Sequence, residues 1–198
     1  MQKEVCAAVS LVMAVICTDG IVVSGDFRKT EYVLDKETKQ YILAGYADNT
    51  HKLIRTKSNR IIACTGKTTN EHGLDINKRI NEMADITDEI NFSLRQQFDS
   101  VIDYACSSAN ALIEVGIENG QKIIMVWNQQ DGISYKTCEG AIGAIGATEV
   151  MSKNQKEIEA KVKGKSVIEV AESLRDYNKL TSKENKEVSP ECEIEIIT

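Results

Sequence analysis

The stretch SLVMAVICTDGIVVSGDFR, residues 10–28, decides the fold. It reads as two apolar strands, Ala7–Cys17 and Ile21–Gly25, joined at Thr18-Asp19-Gly20. Asp-Gly between two apolar runs is the strongest short-range signal for a β-hairpin. The turn folds an early hydroxyl, Ser10, back toward a later carboxylate, Asp26. Downstream of the hairpin, residues 29–50 are polar and dotted with aromatics, and read as a long loop or an irregular hairpin extension. Two more strands follow, His51–Thr56 and Arg60–Thr65, around a Lys57-Ser58-Asn59 turn.

From Thr68 the period changes. Ile76, Ile80, Met83 and Ala84 fit one helical face. A longer stripe, Ile90, Leu94, Phe98, Val101, Ile102, Ala105, Ala109 and Leu112, predicts a second helix that opens at Thr87 and ends near Gly116. Strands return at Lys122–Asn128 and Ile133–Thr137, either side of a Gln130-Asp131-Gly132 turn. The glycine-rich run GAIGAIGA, residues 140–147, leads into a helix near Thr148–Lys163. A further helix covers Ser166–Lys179. The chain closes on an alternating strand, Glu191–Thr198, with Cys192, Ile194 and Ile196 on one side. The order ββββ-αα-ββ-αα-β predicts a layered α+β domain, two antiparallel sheets between helix pairs, spanning residues 1–198. Residues 1–9 read as a short propeptide or extension.

Composition narrows the function classes. The chain is 42% hydrophobic, enough for a packed core, and carries a net charge of −6 with a pI near 5.1, which argues against a nucleic-acid surface. No apolar run reaches the ~18 residues of a membrane span, and the N-terminus lacks a secretory pattern, so a cytoplasmic location is expected. Six cysteines, at 6, 17, 64, 106, 138 and 192, form no CxxC pair and read as reduced thiols, with Cys17, Cys64 and Cys106 in the core. The two histidines, His51 and His72, belong to no ligand-spaced cluster, so neither a metal site nor a Ser-His-Asp triad is expected. GAIGAIGA lacks the GK[ST] ending of a phosphate loop, and no cofactor is expected.

Three motifs in order, CTDGIVVSGDFR, THKLIR and IIACTGKTTNE, resemble those of proteasome β-type subunits in the N-terminal-nucleophile (Ntn) hydrolase superfamily. The resemblance implies the four-layer αββα sandwich of that superfamily. It places the nucleophile on Ser10, the structural aspartate on Asp26, the catalytic lysine on Lys52 and the oxyanion-binding glycine on Gly66. It also implies a peptide or amide substrate and a homo-oligomer, with a ring as one form. Departures are visible: Val9 precedes Ser10 where the family cleaves after glycine, and GAIGAIGA replaces a serine expected before the third helix. An aspartate expected before the last strand falls at Asn185-Lys186. The residues themselves leave alternatives open: Ser10 as a small strand residue, Cys6 as a nucleophile four positions earlier, Lys52 as a solvated lysine. The whole chain also reads as an uncleaved, non-catalytic structural or binding subunit.

Overall fold

The structure, a computed structural model, describes residues 10–35, 37–66, 80–83, 93–105 and 109–198. Strands β1 (Leu11–Ile16) and β2 (Ile21–Asp26) form the expected hairpin, with Val15 opposite Val22. Its turn is closed by the Cys17 amide on the Gly20 carbonyl at 2.8 Å. A side chain at Gly20 would overlap the Ile197 carbonyl, so glycine is required there for close approach. Both strands are buried on both faces, which explains their uninterrupted apolar run.

The hairpin lies at the centre of a four-stranded antiparallel sheet. β10 (Ile142–Gly146) flanks β1, and β11 (Cys192–Ile197) flanks β2. Leu11, Met13 and Val15 point to helices α2 (Thr148–Val162) and α3 (Val167–Glu184), where Ile158, Val162, Val170 and Leu174 complete one core. Helix α3 begins with a capping box between Ser166 and Glu169. Val12, Ala14 and Ile16 point the other way, onto a five-stranded antiparallel sheet. That sheet comprises β5 (Ile54–Arg55), β6 (Ile61–Gly66), β7 (Ala109–Glu118), β8 (Gln121–Asn128) and β9 (Gly132–Lys136), in that order. Its far face packs Ile62, Leu112 and Met125 against Phe98, Val101 and Ile102 of α1 (Leu94–Ala105) and against Ile80. Under α1 lies a buried ion pair, Arg60 Nη1 to Glu114 Oε1 at 2.5 Å.

The expected four-layer αββα sandwich, two sheets between helix pairs, is corrected by this architecture. The described residues form three antiparallel sheets and eleven strands. Among the described residues β structure dominates, and the far face of the five-stranded sheet meets α1 and the helical residues 80–83. Three local departures produce the difference. The segment read as a long loop or an irregular hairpin extension takes the second form, a third sheet in which β3 (Arg28–Leu34) pairs with β4 (Tyr41–Asp48) across a register shift. The stripe expected to run helically through Ala109 and Leu112 is instead divided between α1 and strand β7, which spans Ala109–Glu118. GAIGAIGA, read only as the approach to a helix, supplies strand β10. The expected helix start at Thr87 lies outside the described residues, as do Cys6, His72 and Cys106. Among the described residues, no helix is long and apolar enough to cross a membrane.

Candidate active site

The site is organised by one carboxylate. Asp26, the last residue of β2, is fully buried and accepts four hydrogen bonds. Oδ1 takes the Leu11 amide at 2.8 Å and the Lys52 ammonium at 2.5 Å. Oδ2 takes the Arg28 amide at 2.9 Å and the Ser189 amide at 3.2 Å. Hairpin geometry explains the first contact, because β1 and β2 run antiparallel and Asp26 finishes beside the start of β1. Lys52 is 5% exposed and forms with Asp26 a desolvated ion pair. Burial pulls the Lys52 amine below the ordinary lysine range, and Asp26 opposes that pull.

Lys52 reaches this place after the β3–β4 excursion. The base of that excursion is closed by Arg28 and Asp48, which are register partners and also a two-pronged ion pair, at 2.6 Å and 2.5 Å. Arg28 also donates to the carbonyl of Lys186 at 2.6 Å, tying the hairpin to the segment before β11. The Thr50 amide donates to the Phe27 carbonyl at 3.0 Å, and the His51 ring meets the Phe27 ring edge-on at 5.6 Å. On β11, the Glu193 carboxylate accepts the Lys52 amide at 2.5 Å and the Leu53 amide at 2.9 Å, and its second oxygen meets His51 Nδ1 at 3.0 Å.

Ser10 is 6% exposed and immediately precedes the Leu11 amide held by Asp26. The Ser10–Leu11 peptide and the Lys52 amine therefore converge on one oxygen. On the other side, the Ser10 carbonyl accepts the Ala147 amide at 2.7 Å, at the entry to α2. Gly146 makes this approach possible. Its φ is +92°, and a side chain there would overlap the Ser10 carbonyl oxygen. The same absent side chain would lie 3.3 Å from Thr65 Cγ2, so the end of β6 abuts the same spot. Gly66, with φ of +126°, terminates β6 at a bulge in its pairing with β7. The structure thus brings Ser10, Asp26 and Lys52 into one buried neighbourhood, with Gly66 at the strand end beside it. The segment after Gly66 lies outside the described residues.

Two contributors carried no expectation from sequence. Ser189 is fully buried. Besides its amide contact to Asp26, its hydroxyl accepts the Phe27 amide at 2.9 Å and donates to the Glu191 carbonyl at 2.5 Å. Glu193 had a signal, since the polar face of ECEIEIIT carries Glu193 and Glu195. These meet the basic face of HKLIR, with Arg55 on Glu195 at 2.6 Å. Of the thiols, Cys17 is buried in the core and burial pushes it up to about 11, which makes it a poor nucleophile. Among the described residues, no three His, Cys, Asp or Glu side chains are grouped to hold a metal ion. No protein-family model matches this sequence, and no curated protein matches it.

Proposed function

We propose that this chain is a proteasome-like amide (peptide) bond hydrolase of the N-terminal-nucleophile kind, with Ser10 as nucleophile. The observation that supports it most is the convergence of the Lys52 amine and the Leu11 amide on Asp26 Oδ1. A serine hydroxyl needs a base, and a lysine made less basic by burial can serve as one. In this reading neutral Lys52 takes the Ser10 Oγ proton as Oγ attacks the substrate carbonyl carbon. The tetrahedral oxyanion forms against the Gly66 amide. Collapse breaks the C–N bond, Lys52 returns the proton to the leaving amine, and water then releases the acyl group from Ser10. Asp26 keeps the lysine oriented throughout. Removal of residues 1–9 would add the Ser10 α-amine as a further base. The resemblance extends the reading to a cytoplasmic homo-oligomer, with a ring among its forms.

The burial of Ser10 favours a second reading, in which the same framework is retained by a non-catalytic subunit. A fluorophosphonate probe with peptide mapping separates the two. The hydrolase reading expects covalent label on Ser10, lost in Ser10→Ala and Lys52→Ala. Its rate should rise with pH as Lys52 loses its proton, with a midpoint below the ordinary lysine value. Folded protein that takes no label at any pH supports the non-catalytic subunit.

A further inference from the structure

We propose that Glu193 is a positioning residue for Lys52, a role that rests on the reading of Lys52 as the base for Ser10. Lys52 sits at the exit of a two-stranded excursion that hydrogen-bonds to no other strand among the described residues, so no strand ladder of the larger sheets fixes its placement. Three of the described groups that fix it belong to the local chain: the Arg28–Asp48 closure, the Thr50–Phe27 hydrogen bond and the Phe27–His51 ring contact. The fourth comes from across the molecule. Glu193 Oε1 accepts two consecutive amides, those of Lys52 and Leu53. Two successive N–H groups on one oxygen fix the direction of the backbone between them. They thereby fix where the Lys52 side chain leaves it. The strand carrying Glu193 is held rigidly, because β11 pairs along all of β2 and Cys192 lies opposite Asp26 itself. One strand pair therefore sets both ends of the Lys52–Asp26 contact, Asp26 through β2 and Lys52 through Glu193.

This arrangement differs from a purely structural clamp because Glu193 is charged and close. The charged groups around the Lys52 amine are Asp26, Glu193 and Asp48, all of which favour its protonated form; the neighbouring His51 ring is exposed and contacts Glu193 Oε2. Glutamine at position 193 retains a carbonyl oxygen for the two amides and loses the charge, while alanine loses both. The roles of geometry and charge are thereby separable.

The test compares wild type, Glu193→Gln and Glu193→Ala by two readouts. The first is the pH profile of Ser10 labelling by the fluorophosphonate. The second is direct titration of Lys52 by NMR in protein carrying 15N at lysine Nζ, assigned with Lys52→Arg. Glu193→Gln should keep the limiting labelling rate within about threefold and move the Lys52 midpoint to lower pH. Glu193→Ala should lower the limiting rate about tenfold to hundredfold, the loss expected from a misplacement near 1 Å. Circular dichroism below the unfolding temperature confirms that both variants are folded. Unchanged limiting rate in folded Glu193→Ala overturns the proposal, and so does an unchanged Lys52 titration in both variants. Absence of label in wild type refutes the Ser10 reading instead, and the titration still decides whether Glu193 governs Lys52.

Discussion

Removing the Asp26 carboxylate should destabilise the protein in a way that depends on pH, and the dependence is calculable. In Asp26→Ala the Lys52 amine, 5% exposed, keeps its place but loses its nearest anion, with Glu193 and Asp48 remaining, and in the limiting case the folded variant holds it neutral. Holding lysine neutral at pH 7 costs about 4.6 kcal/mol, from an ordinary pKa of about 10.4 and about 1.36 kcal/mol per pH unit. At pH 9 the same cost is about 1.9 kcal/mol. The unfolded variant binds a proton at Lys52 that the folded variant does not, so stability rises with pH across this interval. The three amides of Leu11, Arg28 and Ser189 also lose their acceptor, at about 1–3 kcal/mol each where water does not replace it. That part does not titrate. Urea unfolding followed by circular dichroism at pH 7 and pH 9 should show the Asp26→Ala penalty relative to wild type shrinking by up to about 2.7 kcal/mol. If the variant is unfolded at pH 7, recovery of folded protein at pH 9 is the same result. In Asp26→Ala/Lys52→Met the pH dependence should vanish. An equal slope in the single and double variants would refute the assignment of the penalty to a stranded Lys52 charge.

Two other perturbations probe the framework around the site. Gly146→Ala forces a side chain onto the Ser10 carbonyl from a backbone at φ +92°, so it should cost at least about 1–3 kcal/mol and abolish Ser10 labelling; retention of both melting temperature and label would contradict the close approach described here. Glu114→Ala removes a buried carboxylate partner of Arg60 beneath α1, and a loss of up to about 3–5 kcal/mol is expected in chemical denaturation. A loss below about 1 kcal/mol would mean that the remaining partners of Arg60, Ser58 among them, or water compensate its charge.

The parts of the fold legible in sequence were those whose signal is local. The β1–β2 hairpin carries its own turn, and it alone suffices to bring Asp26 beside the Ser10–Leu11 peptide. The β3–β4 sheet was legible only as an irregular hairpin beside the alternative of a loop, because its alternation is broken where Glu31 faces Gly45 and Tyr32 faces Leu43, leaving Ala44 as an extra residue. Strand β7 was hidden for the opposite reason. Leu112 faces α1 and Ile113 faces the other sheet, and a strand buried on both faces matches a helical stripe as easily as an alternating one. In β10, three small residues in five depress strand propensity. Yet Gly143 is where a side chain would meet Ile124 Cγ2 at 2.6 Å, and Gly146 is where Ser10 must fit. Ser189 joins Asp26 across 163 residues of chain, and no spacing rule reaches that far. Lys52 was identified through resemblance to a family; its burial came only with the structure.

The long path from Asp26 to Lys52 raises the question of how a short contact survives an excursion of this size. Closing a longer loop costs little more than closing a shorter one, because the entropy grows only with the logarithm of its length. What matters is whether the ends are fixed. Arg28 and Asp48 close the excursion at its base as strand partners and as an ion pair at once, so residues 29–47 are decoupled from the positions on either side. Beyond that closure the chain is handed to β11 at Glu193, and β11 is the register partner of the strand that ends in Asp26. The ion pair is therefore specified by the central sheet, and the excursion only has to return. The excursion is therefore the part of this chain freest to differ in length and surface character, while Arg28, Asp48 and Glu193 are the positions where change should be felt at Lys52.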